Sequence, residues 1–264
     1  ALLIDTGFGF GDIYGAVKKI TNLPVIVVNT HGHIDHVQGN KFFDKVYIHK
    51  NDIGVLKLHS SLIAKIFLYS GNKKVLNTFE KGNKKQFFKR RINNHEIIKE
   101  GEILDIGGNQ LEVIHTPGHT KGSICILDKK NRILYSGDTC SSHVWLFLKQ
   151  STNISTYINS IQKVIKRGSE FDIFLSSHSP AEFKTSMLEK IKHCADNISI
   201  EKSTSFDSNI AGKAFLYVEG FEKVTEQFGY KTFEEFMLHV SEIAPEDIAK
   251  TEFTSIAYSK KTLC

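Results

Sequence analysis

Six consecutive residues, His31-Gly32-His33-Ile34-Asp35-His36, restrict this chain more than any other stretch in it. They set three imidazoles and a carboxylate directly behind Val25-Ile26-Val27-Val28, an apolar run opened by Pro24 that reads as a buried strand. Loops at the C-terminal ends of strands are where α/β sheets carry their chemistry. Imidazole nitrogen and carboxylate oxygen together suit zinc and its neighbours. A His-rich tract can also be an adventitious chelator, and a single His is more often solvated or buried in the core. This cluster is internal, follows a strand, and contains Gly32, expected to let the backbone curl tightly. A catalytic zinc needs about three protein ligands, so the rest of the chain should supply more.

The 264 residues suffice for one large domain or two small ones with a sizeable core. A hydrophobic content of 41% and a charged content of 24% are ordinary for a soluble globular protein. No uninterrupted apolar run approaches the ~20 residues of a membrane helix, and no basic-then-apolar leader is present. Cys125, Cys140, Cys194 and Cys264 are scattered without CxxC spacing, which favours reduced thiols and a cytoplasmic protein. The net charge of +5 is mild but uneven. Lys73, Lys74, Lys81, Lys84, Lys85, Lys89, Arg90 and Arg91 crowd one segment with Phe79, Phe87 and Phe88. That segment could attract an anion or a nucleic acid, but a solvated lysine-rich surface is the commoner explanation, so nucleic acid is the weaker expectation.

Along the chain, Leu2-Leu3-Ile4, the helical spacing of Asp12 to Ile20 and the run before His31 give strand, helix, strand, the βαβ pattern of a layered α/β protein. The chain opens in mid-strand, as if one or two strands preceded it. Val46-Tyr47-Ile48 reads as a strand. A helix capped at Asn51 or Asp52 is expected to run to about Tyr69 and lead into the basic segment, a helical insertion over about 51–95. Two hairpins follow, turning at Gly107-Gly108-Asn109 and at Asp128 to Asn131. A helix from Ser155 to Arg167 precedes the strand Phe171 to Leu175. Ser179-Pro180-Ala181-Glu182 reads as a capping box opening a helix to Asn197. Beyond that, Phe215 to Val218 reads as a strand, Thr232 as the cap of a helix halted by Pro245, and Phe253 to Tyr258 as an edge strand. Residues 198–264 are expected to be a largely helical extension of a single domain spanning 1–264.

Three more ligand-type residues sit on loops just behind apolar strands: His119, Asp138 and His178. Each has a dull explanation alone, but four strand-end loops meeting at one edge of the fold make a strong signal. In this order and context the chain resembles the metallo-β-lactamase superfamily over Ala1 to Asn197, closest to its hydroxyacylglutathione hydrolase-like and lactonase-like branches. The resemblance implies a four-layer αβ/βα sandwich with a dinuclear metal site at its upper edge. It implies that His31, His33 and His119 hold one ion, that Asp35, His36 and His178 hold the other, and that Asp138 bridges them. Two dications, zinc first and Fe or Mn on the same ligands, would share a bridging hydroxide for attack on an electrophile, with Asp35 orienting and relaying its proton.

Two lactamase subclasses place Cys where Asp138 stands, so Asp138 points to the thioesterase, lactonase and phosphodiesterase branches. Cys140, two residues on, reads as a small buried residue. Glu in place of His33 marks the oxygen-handling diiron branch, which disfavours a redox function. Residues 141–148 line the substrate pocket in the family; here Trp145 and Phe147 would give an apolar wall, and His143 could donate to an anionic intermediate. The expectation is a hydrolase of a small ester, thioester or lactone. The alternatives are a phosphodiesterase or ribonuclease of the same superfamily, and a non-catalytic metal-binding or regulatory protein.

Overall fold

A computed structural model of the chain describes residues 1–9, 11–71, 88, 94–179, 181–208 and 211–263. Leu2–Ile4 (β1), Ile13–Ile20 (α1) and Ile26–Val28 (β2) form the expected βαβ unit, with Leu3 opposite Val27 in parallel register. Asp12 caps α1 by accepting from the Gly15 N–H. Lys45–His49 (β3) and Asn94–Ile98 (β4) complete a parallel sheet in the order β1-β2-β3-β4. Between them the expected single helix is two, Ile53–His59 (α3) and Leu62–Gly71 (α4). Ser61 divides them, because its hydroxyl accepts from the Ala64 N–H and caps the second helix. Apart from Phe88, the basic stretch from Lys73 to Arg91 lies outside the described residues.

Six strands build the second sheet in the order β11-β10-β8-β7-β6-β5. They are Ile103–Asp105 (β5), Gln110–His115 (β6), Ile124–Asp128 (β7), Ile133–Gly137 (β8), Ile173–Ser176 (β10) and Glu182–Lys184 (β11), with both expected hairpins among them. The two sheets face each other through Val28 and Ile98 on one side and Leu111, Val113, Ile124 and Ile126 on the other. Ile13 and Val17 of α1 cover the outer face of the first sheet at Val27 and Val46. Ile154–Lys166 (α5) and Ser186–Asp196 (α6) cover the outer face of the second, through Tyr157, Ile161, Leu188 and Ile191. Helix, sheet, sheet, helix is the expected four-layer αβ/βα sandwich. Each fully buried aliphatic in these layers contributes roughly 1.5–3 kcal/mol of transfer free energy.

Several expectations fail. Ser179 opens no helix: its hydroxyl accepts from the Ala181 N–H, the chain then pairs as β11, and α6 begins only after Thr185. Packing overrides the local signal there, since Phe183 is buried and stacks on Phe174 of β10 with ring centroids 5.1 Å apart. Residues 198–264 are less helical than expected. Thr204–Asp207 (β12), Lys213–Glu219 (β13) and Thr254–Tyr258 (β14) join His143–Leu146 (β9) in a third sheet, ordered β12-β13-β14-β9. The strand expected at the edge, β14, therefore lies inside the sheet with every residue buried.

Two-residue alternation explains that burial. Ile256, Tyr258 and Tyr217 pack with α6, while Ala257 and Leu216 pack with Phe221–Phe228 (α7) and Phe233–His239 (α8) on the other side. Thr232 caps α8 as expected. Pro245 does not simply halt a helix; it starts another, Pro245–Thr251 (α9), at the first position where proline needs no donor. No helix among the described residues is long and apolar enough to cross a membrane.

Candidate metal centre

The structure brings seven of the eight expected site residues together at the C-terminal ends of β2, β6, β8 and β10. His31 and His33 stand on the loop after β2, and Asp35 and His36 on the short helix Ile34–Val37 (α2) that follows it. His119 comes from the loop beyond β6, Asp138 from the residue after β8, and His178 from the loop after β10.

Hydrogen bonding fixes which way the imidazoles offer their lone pairs. The Thr30 hydroxyl donates to Asp5 Oδ2 at 2.7 Å, so it accepts from His31 Nδ1 at 3.1 Å and leaves His31 Nε2 a lone pair. His119 Nδ1 donates to the Trp145 carbonyl at 2.8 Å, which frees His119 Nε2 in the same way. Both lone pairs face His33 Nδ1, at 3.0 and 2.9 Å. One ring proton cannot satisfy that convergence, whereas a cation can. Burial first, then the neighbouring rings, hold His31 and His33 well below the ordinary imidazole pKa, so both rings are neutral, as metal ligation requires. Burial also lowers His119.

A second set lies alongside. His36 Nδ1 donates to Asp5 Oδ2 at 2.9 Å, and its Nε2 is 3.5 Å from both Asp35 Oδ2 and Asp138 Oδ1. His178 Nε2 is 3.2 Å from Asp35 Oδ2 and from Asp138 Oδ2. Asp138 Oδ2 also lies 3.4 Å from His119 Nε2 and 3.9 Å from His31 Nε2, so this one carboxylate reaches both sets. His36 Nε2 and Asp138 Oδ1 are buried and, among the described residues, lack a hydrogen-bond partner. Among the described residues, three groups of side chains could hold a metal: His31, His33 and His119; His31, His36 and Asp138; and Asp35, His36 and His178. Nitrogen and carboxylate donors in these numbers fit zinc, iron or manganese.

Charge is arranged to match. Burial alone would raise Asp35 and Asp138, but His36 and His178 hold both carboxyls well below their usual range. In return Asp138 and Asp35 push His178 up to about 10. Burial opposes a charge on His36, yet Asp138, Asp5 and Asp35 raise it well above its ordinary value. A dication held here by His36 and His178 would displace their protons. Metal uptake should therefore release protons, and affinity should climb as pH rises toward about 10 and fall on acidification. Calorimetry in buffers of different ionisation enthalpy measures that release; uptake without it would remove these two rings from the ligand set.

Sequence reasoning missed the carboxylates that hold the loops. Asp5, at a positive φ of 60°, takes the Thr30 N–H and hydroxyl as well as His36. Asp52, expected only as a helix cap, is fully buried and accepts from the Gly32 N–H, the Thr120 hydroxyl and the Gly122 N–H, each at 2.7 Å. His59 was also missed; its ring tilts against His33 with centroids 5.2 Å apart. The sequence signal for all three is weak, because each is an ordinary residue at an element end.

Gly32 is needed for a reason other than the expected curl. Its φ is not left-handed; instead a Cβ there would lie 2.8 Å from Leu56 N in α3 and 2.9 Å from the carbonyl oxygen of Asp52, the residue that precedes that helix. Gly32→Ala should cost about 1–3 kcal/mol by forcing those backbones apart and should loosen metal binding. A melt and metal titration matching the wild type would refute that close approach. Gly137, by contrast, does adopt φ +54° immediately before Asp138.

His143 is not among the converging groups. Its Nε2 accepts from Trp145 Nε1 at 2.7 Å and its Nδ1 bonds Ser255 Oγ at 2.8 Å. Burial, with His178 nearby, lowers its pKa to about 3. Both nitrogens are engaged in a neutral ring, which argues against the expected donor role. Cys140 is fully buried, as expected, and Cys125, Cys140 and Cys194 are free thiols.

A family model described as the metallo-beta-lactamase superfamily matches residues 1–171. The human protein named acyl-coenzyme A thioesterase MBLAC2 is 28% identical over 212 residues, covering 74% of this chain and 74% of that protein. For its chicken and bovine counterparts the aligned stretch spans 62% and 61% of their own length. A Francisella tularensis hydroxyacylglutathione hydrolase is 26% identical over 150 residues, 56% of this chain and 47% of the relative. The crystal structure of DIM-1 metallo-beta-lactamase is similar in fold, with a TM-score of 0.53 at 19% identity over 75% of this chain and 83% of that one.

Proposed function

The chain belongs to the metallo-beta-lactamase superfamily, and from that premise we propose that it is a dinuclear metal-dependent hydrolase of esters or thioesters, with acyl thioesters foremost. The observation that carries the reading is the position of Asp138, within 3.9 Å of ring nitrogens in both ligand sets. His31, His33 and His119 would hold one ion, Asp35, His36 and His178 the other, and Asp138 would lie between them. Zinc is the metal best suited to this donor set, and iron or manganese can use the same ligands. When bound, such a pair supplies an ionised water at neutral pH and an electrophile for the carbonyl oxygen.

The protein's own residues do the rest. Thr30 and Trp145 lock His31 and His119 in the tautomers that present Nε2 inward. Asp5 orients His36 and supports its basicity. Asp35 is ionised and partly open to solvent, so beside holding a metal its carboxylate can take up a proton and hand it to the departing thiolate. The names borne by the human and Francisella relatives support thioester chemistry over lactam or phosphodiester chemistry.

The test is a purified, zinc-saturated protein offered acyl thioesters, a lactone and a chromogenic phosphodiester, with its metal counted by mass spectrometry. About two zinc ions per chain and thiol release from the thioesters are expected. Turnover of the phosphodiester alone would replace this reading by the phosphodiesterase one. Tight metal binding with no turnover would replace it by a non-catalytic role.

A further inference from the structure

The first ligand set leaves one ring nitrogen unanswered. A metal-bound imidazole ordinarily donates its other N–H to a neighbouring acceptor, which fixes the ring and strengthens it as a ligand. His31 has the Thr30 hydroxyl for this, His119 the Trp145 carbonyl and His36 the Asp5 carboxylate. His33 differs. It turns Nδ1 toward His31 Nε2 and His119 Nε2, so a metal held there confines the ring proton to Nε2. That Nε2 is buried and, among the described residues, lacks a hydrogen-bond partner.

The ring beside it is His59, with centroids 5.2 Å apart and planes inclined by 31°. His59 Nδ1 is also buried and without a partner among the described residues. Two orphaned nitrogens on adjoining rings call for a common explanation. The fold holds them side by side through both ends of α3. At its start Asp52 accepts from the Gly32 N–H at 2.7 Å, and Gly32 packs directly on the backbone at Leu56. At its end the buried Gln38, which follows α2, donates from its side-chain amide to the His59 carbonyl at 2.8 Å. These contacts press α3 onto the loop of His31 and His33 and bring the ring of its last residue against His33.

We infer that His59 is the positioning residue for His33: once a metal holds His33 Nδ1, the Nε2–H donates to His59 Nδ1, directly or through one water. His59 then acts on the ion only through His33, as Thr30 and Trp145 act through the other two rings of the set. The inference rests on the metal centre proposed above and is independent of the substrate.

The test uses the wild type, His59→Phe, which keeps a ring and removes the acceptor, and His59→Asn, which returns a polar amide near the place of Nδ1. Zinc affinity is measured by chelator competition, thermal melts are run with and without zinc, and cobalt-loaded protein gives a visible spectrum. His59→Phe should weaken one of two zinc ions about 10–100-fold, spare the other, and change the cobalt bands. Its zinc-free melt should be no lower than the wild type, since an apolar ring replaces a buried atom that has no partner there. His59→Asn should recover most of the affinity and the wild-type bands. Unchanged zinc affinity and cobalt bands in His59→Phe overturn the inference and leave the metal centre standing. Equal weakening of both ions with a lowered zinc-free melt also overturns it, because that marks a packing role, and so does His59→Asn binding no better than His59→Phe. A wild-type protein that binds no zinc or cobalt sinks the metal centre itself, and this inference with it.

Discussion

Asp138→Ala should abolish turnover, with a loss of about a thousandfold or more, and should reduce bound metal from two ions toward one. The side chain has no substitute, because its Oδ2 faces His119, His31 and His178 while its Oδ1 faces His36. Removing it would leave two dications facing each other without the anion between them, a cost of several kcal/mol, and each 1.4 kcal/mol is a factor of about ten in rate. Asp138→Asn keeps the shape and loses the charge, so it should retain the fold and still lose most activity. Metal counting and kinetics on both variants check this; two ions and full activity in Asp138→Ala would remove Asp138 from the centre.

Asp52→Ala is expected to destabilise the protein strongly although Asp52 lies outside the seven converging side chains. Its carboxylate joins the loop of His31 and His33 to the loop of His119, through Gly32, Thr120 and Gly122. Alanine strands two backbone N–H groups in a site where Asp52 itself is 0% exposed. Each stranded donor costs about 1–3 kcal/mol, against a total stability of about 5–15 kcal/mol for an ordinary domain. Metal affinity should fall about 10–100-fold as the two loops come apart. Asp52→Asn, which keeps one acceptor but sets an amide against a donor, should lie between. Thermal melts with and without zinc measure both effects; an unchanged melt and an unchanged zinc affinity in Asp52→Ala would show that the loops hold themselves.

The same contrast separates what was legible in the sequence from what was not. His31 to His36, His119, Asp138 and His178 could be read because each follows an apolar run, and a buried strand delivers the next residue to the sheet edge whatever else the chain does. The α1 cap at Asp12, both hairpins and the four layers were legible for the same reason: they follow from periodicity and turn residues within a few positions. Ser179 and Phe253 to Tyr258 misled because their signals are equally local while their fates were settled by distant partners, Phe174 for the first region and β9 and β13 for the second.

The sequence by itself determined which residues could meet a metal and on which kind of loop they would stand. Only the tertiary structure decided that Asp5 and Asp52 hold those loops, that His143 turns to Trp145 and Ser255, and that β12 curls round to bring Phe206 against β9. The reason is one of range. Hydrophobic period and capping act over one or two turns of chain, whereas a buried carboxylate or an aromatic cluster is defined by groups up to 112 residues apart, whose pairing depends on how the whole core closes.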